Sequence, residues 1–272
     1  MKHFALPALL LLAACSPTGC GQTPSTPPPP QPADPAQPGA PAPVPEPEAP
    51  PTPPVPEPVT WPHEPGGALY PGSGSGATDP TVWAPGMRFP MEAAPAFANS
   101  QVYGYGGYQA PGPGGQCDSR NYDYPWRDNF CETRSWTNGM CPSGKGHQGQ
   151  DIRPATCVKK VHWVVAAESG TVTSIGSYTV FIQGASGRIY RYLHMDMPGV
   201  RALIHEGQAV TRGQHIGKVS ADFGGNATTI HLHFEMKAPV TSGGSTAVIF
   251  VPVYSSLVDS YGRLLNAPPG DA

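Results

Sequence analysis

Ile230-His231-Leu232-His233-Phe234-Glu235-Met236 alternates strictly between apolar and chemically active residues. Side chains repeat every two residues along a strand, so Ile230, Leu232, Phe234 and Met236 share one face and His231, His233 and Glu235 the other. One face packs into a core while the other presents two imidazoles side by side. Upstream, Gly146-His147-Gln148-Gly149-Gln150-Asp151-Ile152 offers an imidazole and a carboxylate four residues apart. The two glycines argue against a helix, and in an extended segment an even spacing puts His147 and Asp151 on one side. Imidazole nitrogens and a carboxylate oxygen suit zinc, and three protein ligands with a fourth position left open make the catalytic type of zinc site. Zinc held that way brings a water near neutral pKa and polarises a carbonyl. No H-E-x-x-H is present to supply a helical glutamate base.

These pieces need a scaffold that keeps extended segments side by side. From Thr81 onward, short strand-like runs follow one another with Gly, Pro and Asn turns between them. They are Gln101–Tyr103, Val161–Ala167, Gly170–Ile175, Thr179–Gln183, Arg188–Met195, Ala209–Val210, His215–Val219 and Ile230–Lys237. Many short strands without helical spacing predict an all-β, antiparallel sheet or sandwich-like domain with long loops over residues 81–272. Gly184-Ala185-Ser186-Gly187 reads as a hairpin turn. Residues 255–265 fit a strand or a short helix.

The N-terminal part is of another kind. Lys2, the apolar run Phe4–Leu12 and Leu12-Ala13-Ala14-Cys15 read as a signal peptide over residues 1–14, too short to span a bilayer. The tetrapeptide is similar to a bacterial lipobox, which implies membrane attachment through lipidated Cys15. Ser16 behind it resembles lipoproteins forwarded to an outer membrane, in a cell that has one. Pro24–Pro58 carries 18 prolines in 35 residues and no apolar periodicity. It is expected to be a disordered, extended tether reaching on the order of 100 Å. Residues 60–80, rich in Gly and Ser, read as its continuation, so the linker is placed at residues 15–80. A net charge of −3 gives no electrostatic case for nucleic acid.

His147-x-Gly149-x-Asp151, Ala166-Ala167-x-x-Gly170-x-Val172, Tyr192-Leu193-His194, Gly207-x-x-Val210-x-x-Gly213-x-x-Ile216-Gly217 and His231-Leu232-His233-Phe234-Glu235 follow in that order. Together they resemble the lysostaphin/LytM-type zinc endopeptidases, over a motif core at about 146–237. The resemblance implies a twisted antiparallel sheet with a groove and one zinc per chain held by His147, Asp151 and His233. It further implies His194 and His231 as catalytic histidines that do not ligate the metal, and peptidoglycan stem peptides as substrate. All five positions are filled. Relatives that only activate a cell-wall amidase are expected to have lost some of them; secreted proteases acting on glycine-rich proteins would share them.

Glu235, on the face of the two histidines, reads as an orienter of an imidazole or as a surface charge. His63, His162, His205 and His215 have no motif and read as surface or structural residues. Six cysteines in an exported chain read as a disulfide protein. With Cys15 lipidated and Cys20 unpaired, Cys117, Cys131, Cys141 and Cys157 permit three pairings. The sequence-local choice is Cys117–Cys131 with Cys141–Cys157. Tyr103, Tyr105, Tyr108, Tyr122, Tyr124, Trp126 and Trp136 form an aromatic approach to the site, as groove lining or as loop packing.

Overall fold

The alternating run at 230–236 becomes the start of the longest strand, Leu232–Ser242, and the strands that build the site lie against it. The computed structural model describes residues 57–109 and 114–267, with the isolated positions 27, 29, 30 and 39. The expected signal peptide, Cys15, Cys20 and nearly all of the tether up to residue 56 lie outside the described residues. The chain divides into two units, Met1–Pro54 and Val55–Ala272, and the second holds every strand and helix of the described residues.

The strands of this second unit are β1 (Phe97–Ala98), β2 (Gln150–Arg153), β3 (Trp163–Val165), β4 (Gly170–Ile175), β5 (Thr179–Gly184) and β6 (Ile189–Leu193). After helix α1 (Met197–Leu203) come β7 (Ala209–Val210), β8 (His215–Lys218), β9 (Asp222–Phe223), β10 (Asn226–Ala227), β11 (Leu232–Ser242) and β12 (Ser245–Phe250), then helix α2 (Tyr254–Asn266). The main sheet runs β1-β2-β11-β6-β5-β4-β7, with β12 paired to the far half of β11. Pairs β3–β8 and β9–β10 stand apart from it. Every strand pairing is antiparallel, so the all-β expectation holds. The hairpin at 184–187 also joins the expected strands, β5 and β6.

Register decides which residues share the site. His233 lies opposite Asp151 of β2 on one side and Leu193 of β6 on the other. Cross-strand partners face the same way, so one face collects Asp151, His233, Arg191 and Glu235. Behind it Leu232, Phe234 and Met236 are fully buried with Tyr190, Tyr192 and Ile152. Each such apolar side chain contributes about 1.5–3 kcal/mol on burial, which holds the register. The same core takes in Val164 of β3, Ile216 of β8, Val200 of α1, and Tyr254, Leu257 and Tyr261 of α2. The last three, spaced i, i+3 and i+7, make one helical stripe; this settles the ambiguous 255–265 stretch as helix.

Three expectations are corrected. Residues 57–80 are part of the folded unit rather than linker: Trp61 packs edge-on to Tyr261 and Trp126, with ring centroids 4.9 and 5.7 Å away. Gly- and Ser-rich composition hid an anchor consisting of one large ring. The disulfides join Cys131 to Cys141 and Cys117 to Cys157, not the sequence-local pairs. Cys131 N–H donates to the carbonyl of His147, and turns at Asn138 and Cys141 bring the chain back to it. Cys117 is brought to Cys157 by Arg153, whose guanidinium donates to the carbonyl of Gln116. The run at 101–103 forms bends, not a strand.

Candidate metal centre

The Asp151 carboxylate is the hub of a buried cluster. Its Oδ1 lies 2.9 Å from His233 Nδ1, 3.4 Å from His147 Nε2 and 3.4 Å from His231 Nε2. Ligand atoms of His147, Asp151 and His233 all fall within 4.8 Å of one another. Donor atoms around a tetrahedral zinc stand about 3.4 Å apart, from bonds of about 2.1 Å, so these three residues fit the ion the sequence calls for. Burial opposes ionisation of the Asp151 carboxyl, yet the imidazoles of His147 and His231 beside it hold it well below its usual range. Burial also opposes charge on His233, yet hydrogen bonds to Asp151 and Glu235 raise it to about 9.

Two glycines let the ligand strand come this close. A Cβ at Gly149 would stand 2.3 Å from the carbonyl oxygen of Phe234, and one at Gly146 would stand 2.7 Å from Cys131 Cα. His147 is tied on its own segment by N–H donation to the Glu132 carbonyl.

His194 and His231 stand beside the cluster with ring centroids 4.7 Å apart. His231 Nδ1 donates to the Thr229 carbonyl at 2.9 Å and His194 Nδ1 to the Asp222 carbonyl at 2.9 Å. A carbonyl only accepts, so Nδ1 carries the proton of that bond in each ring; in His231 the other nitrogen, Nε2, faces Asp151 Oδ1 at 3.4 Å. Burial, reinforced by His231 and His233, pushes His194 down to about 2. Period-2 alternation would send His194 to the core side with Tyr190 and Tyr192. Instead β6 ends at Leu193, and His194 adopts a left-handed backbone, φ 67°, at a cost on the order of 1 kcal/mol. Its N–H to Tyr178 and its carbonyl to Ser220 hold that turn. Tyr190 and Tyr192 are core, and only the histidine reaches the site.

All five predicted residues thus converge, and each is buried. They floor a groove of about 730 Å³ whose walls include Trp136, Tyr178, Phe223, Arg134 and Arg191. Trp136 leans over His147, and Tyr178 stacks on His194. Of the seven aromatics expected near the site, only Tyr108 and Trp136 line this groove. Trp126 is wholly buried against Phe89 and Tyr261, while Tyr105 and Tyr124 line a separate pocket. Glu235 is an orienter rather than a surface charge: it is buried, takes a hydrogen bond from His233 Nε2 at 2.8 Å and pairs with Arg191. Alternation pointed to Glu235; no motif pointed to Arg191, Tyr178 or Phe223. His215 pairs with Glu92 and His162 with Thr156, apart from the site.

The antiparallel sheet thus carries a buried His-Asp-His cluster able to hold a metal, with two further histidines beside it in an open groove. Comparison agrees: residues 145–246 match Peptidase family M23, so the zinc-endopeptidase resemblance holds for that segment. Among solved structures, the chain is similar to a Ruminococcus gnavus protein assigned as a glycyl-glycine endopeptidase LytM. That pair shares 18% identity over 66% of this chain and 62% of the other, with TM-score 0.40. It is also similar to the catalytic domain of lysostaphin from Staphylococcus simulans (18% identity, 45% of this chain and 85% of that one, TM-score 0.30). A zinc-containing peptidase from Vibrio cholerae shares 28% identity over 46% of this chain and 37% of its own, with TM-score 0.28. The chain thus spans under two thirds of the first of these and of the third. No match is found among curated proteins.

Proposed function

We propose that this domain is a zinc-dependent endopeptidase that hydrolyses peptide cross-links of bacterial peptidoglycan. The observation that carries the reading is the complete five-residue set in one groove, on a segment matching a peptidase family. His147, Asp151 and His233 hold the metal; when bound, zinc supplies Lewis acidity toward the scissile carbonyl and toward water. His194 and His231 line the groove with Nδ1 tied to a backbone carbonyl, so Nε2 is the ring atom left for chemistry. An imidazole so placed accepts the proton of the attacking water, and the imidazolium formed then serves the leaving amine or the developing oxyanion.

The proposal extends to location. The lipobox and the proline-rich run support an exported protein held at the cell envelope through lipidated Cys15, acting on the wall at the end of its tether. Loss of lipid labelling in Cys15→Ala tests this part alone.

The decisive experiment measures zinc content and release of soluble muropeptides by the full chain, by His233→Ala and by His231→Ala. One zinc per chain with wall digestion is expected for the unaltered protein. Metal should be lost in His233→Ala, and metal kept with activity lost in His231→Ala. Bound zinc with no cleavage of any wall preparation would overturn the endopeptidase reading in favour of a partner-activating role.

A further inference from the structure

A metal-binding histidine or carboxylate needs a further polar partner to fix which of its atoms faces the ion. Glu235 does this for His233. For His147 and Asp151 both partners come from a single residue, Asn129, which lies outside the matched segment 145–246. Its backbone carbonyl accepts from His147 Nδ1 at 3.0 Å, leaving Nε2 as the ring atom turned toward Asp151. Its side-chain Nδ2 donates to Asp151 Oδ2 at 2.8 Å, which leaves Oδ1 facing the three imidazoles. Its Oδ1 accepts the Asp151 N–H at 3.1 Å, and its own N–H donates to Gln150 Oε1 at 3.1 Å. The amide orientation is fixed by chemistry, since a carboxylate only accepts and a backbone N–H only donates.

Asn129 is 1% exposed, so water does not compete for these bonds. Its neighbours are held on both sides. Asp128 accepts from Phe130 N–H and Gly67 N–H, while Cys131 bonds the His147 carbonyl and closes a disulfide with Cys141. We propose that Asn129 is a positioning residue that makes Asp151 a one-oxygen ligand through Oδ1 and His147 an Nε2 ligand. The metal centre of this chain is thereby completed by the cystine-laced segment upstream of the peptidase-family match. This rests on the reading of His147, Asp151 and His233 as zinc ligands.

The test uses the full chain and two variants. Asn129→Asp keeps an acceptor for the Asp151 N–H and removes the donor to its carboxylate; Asn129→Ala removes both. Zinc affinity, by competition with a chromogenic chelator, is expected to fall on the order of ten- to a hundredfold in each. The ligand-field bands of the cobalt-substituted protein should shift as Asp151 rotates. In the metal-free unaltered protein, imidazole nitrogen NMR should find the proton of His147 on Nδ1. Folded variants with unaltered zinc affinity and cobalt bands would overturn the proposal, as would a His147 proton on Nε2. Should neither variant fold, the tautomer in the unaltered protein decides. Failure of the unaltered chain to take zinc would remove the functional reading itself, whereas normal uptake with unchanged variants removes only the role of Asn129.

Discussion

His233 and Glu235, two residues apart on one strand, are joined by a 2.8 Å hydrogen bond from Nε2 to Oε1, while His233 Nδ1 faces Asp151 at 2.9 Å. Both ring nitrogens therefore point at carboxylates, and Arg191 closes the chain from behind Glu235. Replacing Glu235 by Gln keeps an acceptor and removes the charge. Zinc affinity is expected to fall about tenfold or more. The metal-free fold should lose about 1–3 kcal/mol because the Arg191 guanidinium keeps no carboxylate. Adding Arg191→Met should restore stability but not zinc affinity. Chelator competition and thermal melts check both; unchanged zinc affinity in Glu235→Gln would remove Glu235 from the metal site.

The same pair sets a pH dependence. The folded pKa of His233 is raised to about 9 from an ordinary 6.5. A raised histidine contributes stability that is fully present below pH 6.5 and is lost as pH climbs through 9, a change of at most about 3 kcal/mol. His194 is depressed instead, so its contribution is lost only as pH falls below 6.5 and stays out of this window. The metal-free protein should thus melt lower at pH 9.5 than at pH 7. Zinc requires a bare Nδ1, so its affinity should move the other way, rising about tenfold per pH unit up to 9. A pH-independent zinc affinity over that range would contradict a protonated His233.

Trp61 predicts where the chain can be cut. Its ring lies against Tyr261 and Trp126, and these pack on Phe89 in the core. Trp61→Ala should cost about 2–4 kcal/mol, below the value for a fully enclosed Trp because this ring is only partly buried. A fragment beginning at Thr81 should melt well below one beginning at Val55. Urea unfolding of the two fragments gives the comparison, and equal midpoints would return residues 57–80 to the status of linker.

Trp136 stands on the loop closed by Cys131–Cys141, is 45% exposed and has its ring centroid 6.2 Å from that of His147. If it receives the peptide, Trp136→Ala raises KM about tenfold and leaves zinc content and melting temperature nearly unchanged. Loss of the Cys131–Cys141 bridge should cost about 2–4 kcal/mol and raise KM as well, since the wall relaxes. Steady-state kinetics on a soluble muropeptide separates the cases: a lower melting temperature at constant KM would mean that Trp136 only packs its loop.

Much of the site could be read from spacing alone. The alternation through Met236 placed His231, His233 and Glu235 on one face, and cross-strand pairing with Asp151 follows once two extended segments are joined. His194 illustrates the limit. Its position in the strand pattern sends it to the core, and only one left-handed residue, held by contacts from Tyr178 and Ser220, turns it to the groove. Asn129 had no pattern to give it away, because its work is done by one carbonyl and one amide among loop residues. The cystine pairing depends on which loops meet in space, and sequence separation is a poor guide to that. Trp61 was obscured by flexible-looking neighbours, since composition averages over the single ring that anchors the segment.

The position of His233 opposite both Asp151 and Leu193 has a consequence for the newly made chain. Strand registry works here as a checksum. A slip of one residue on either side of β11 turns a ligand into the apolar interior and leaves the remaining donors too far apart to share an ion. Partly folded chains therefore have no assembled His-Asp-His centre, and metal capture rewards only the correctly paired sheet. The centre comes into being only with the last correct pairing.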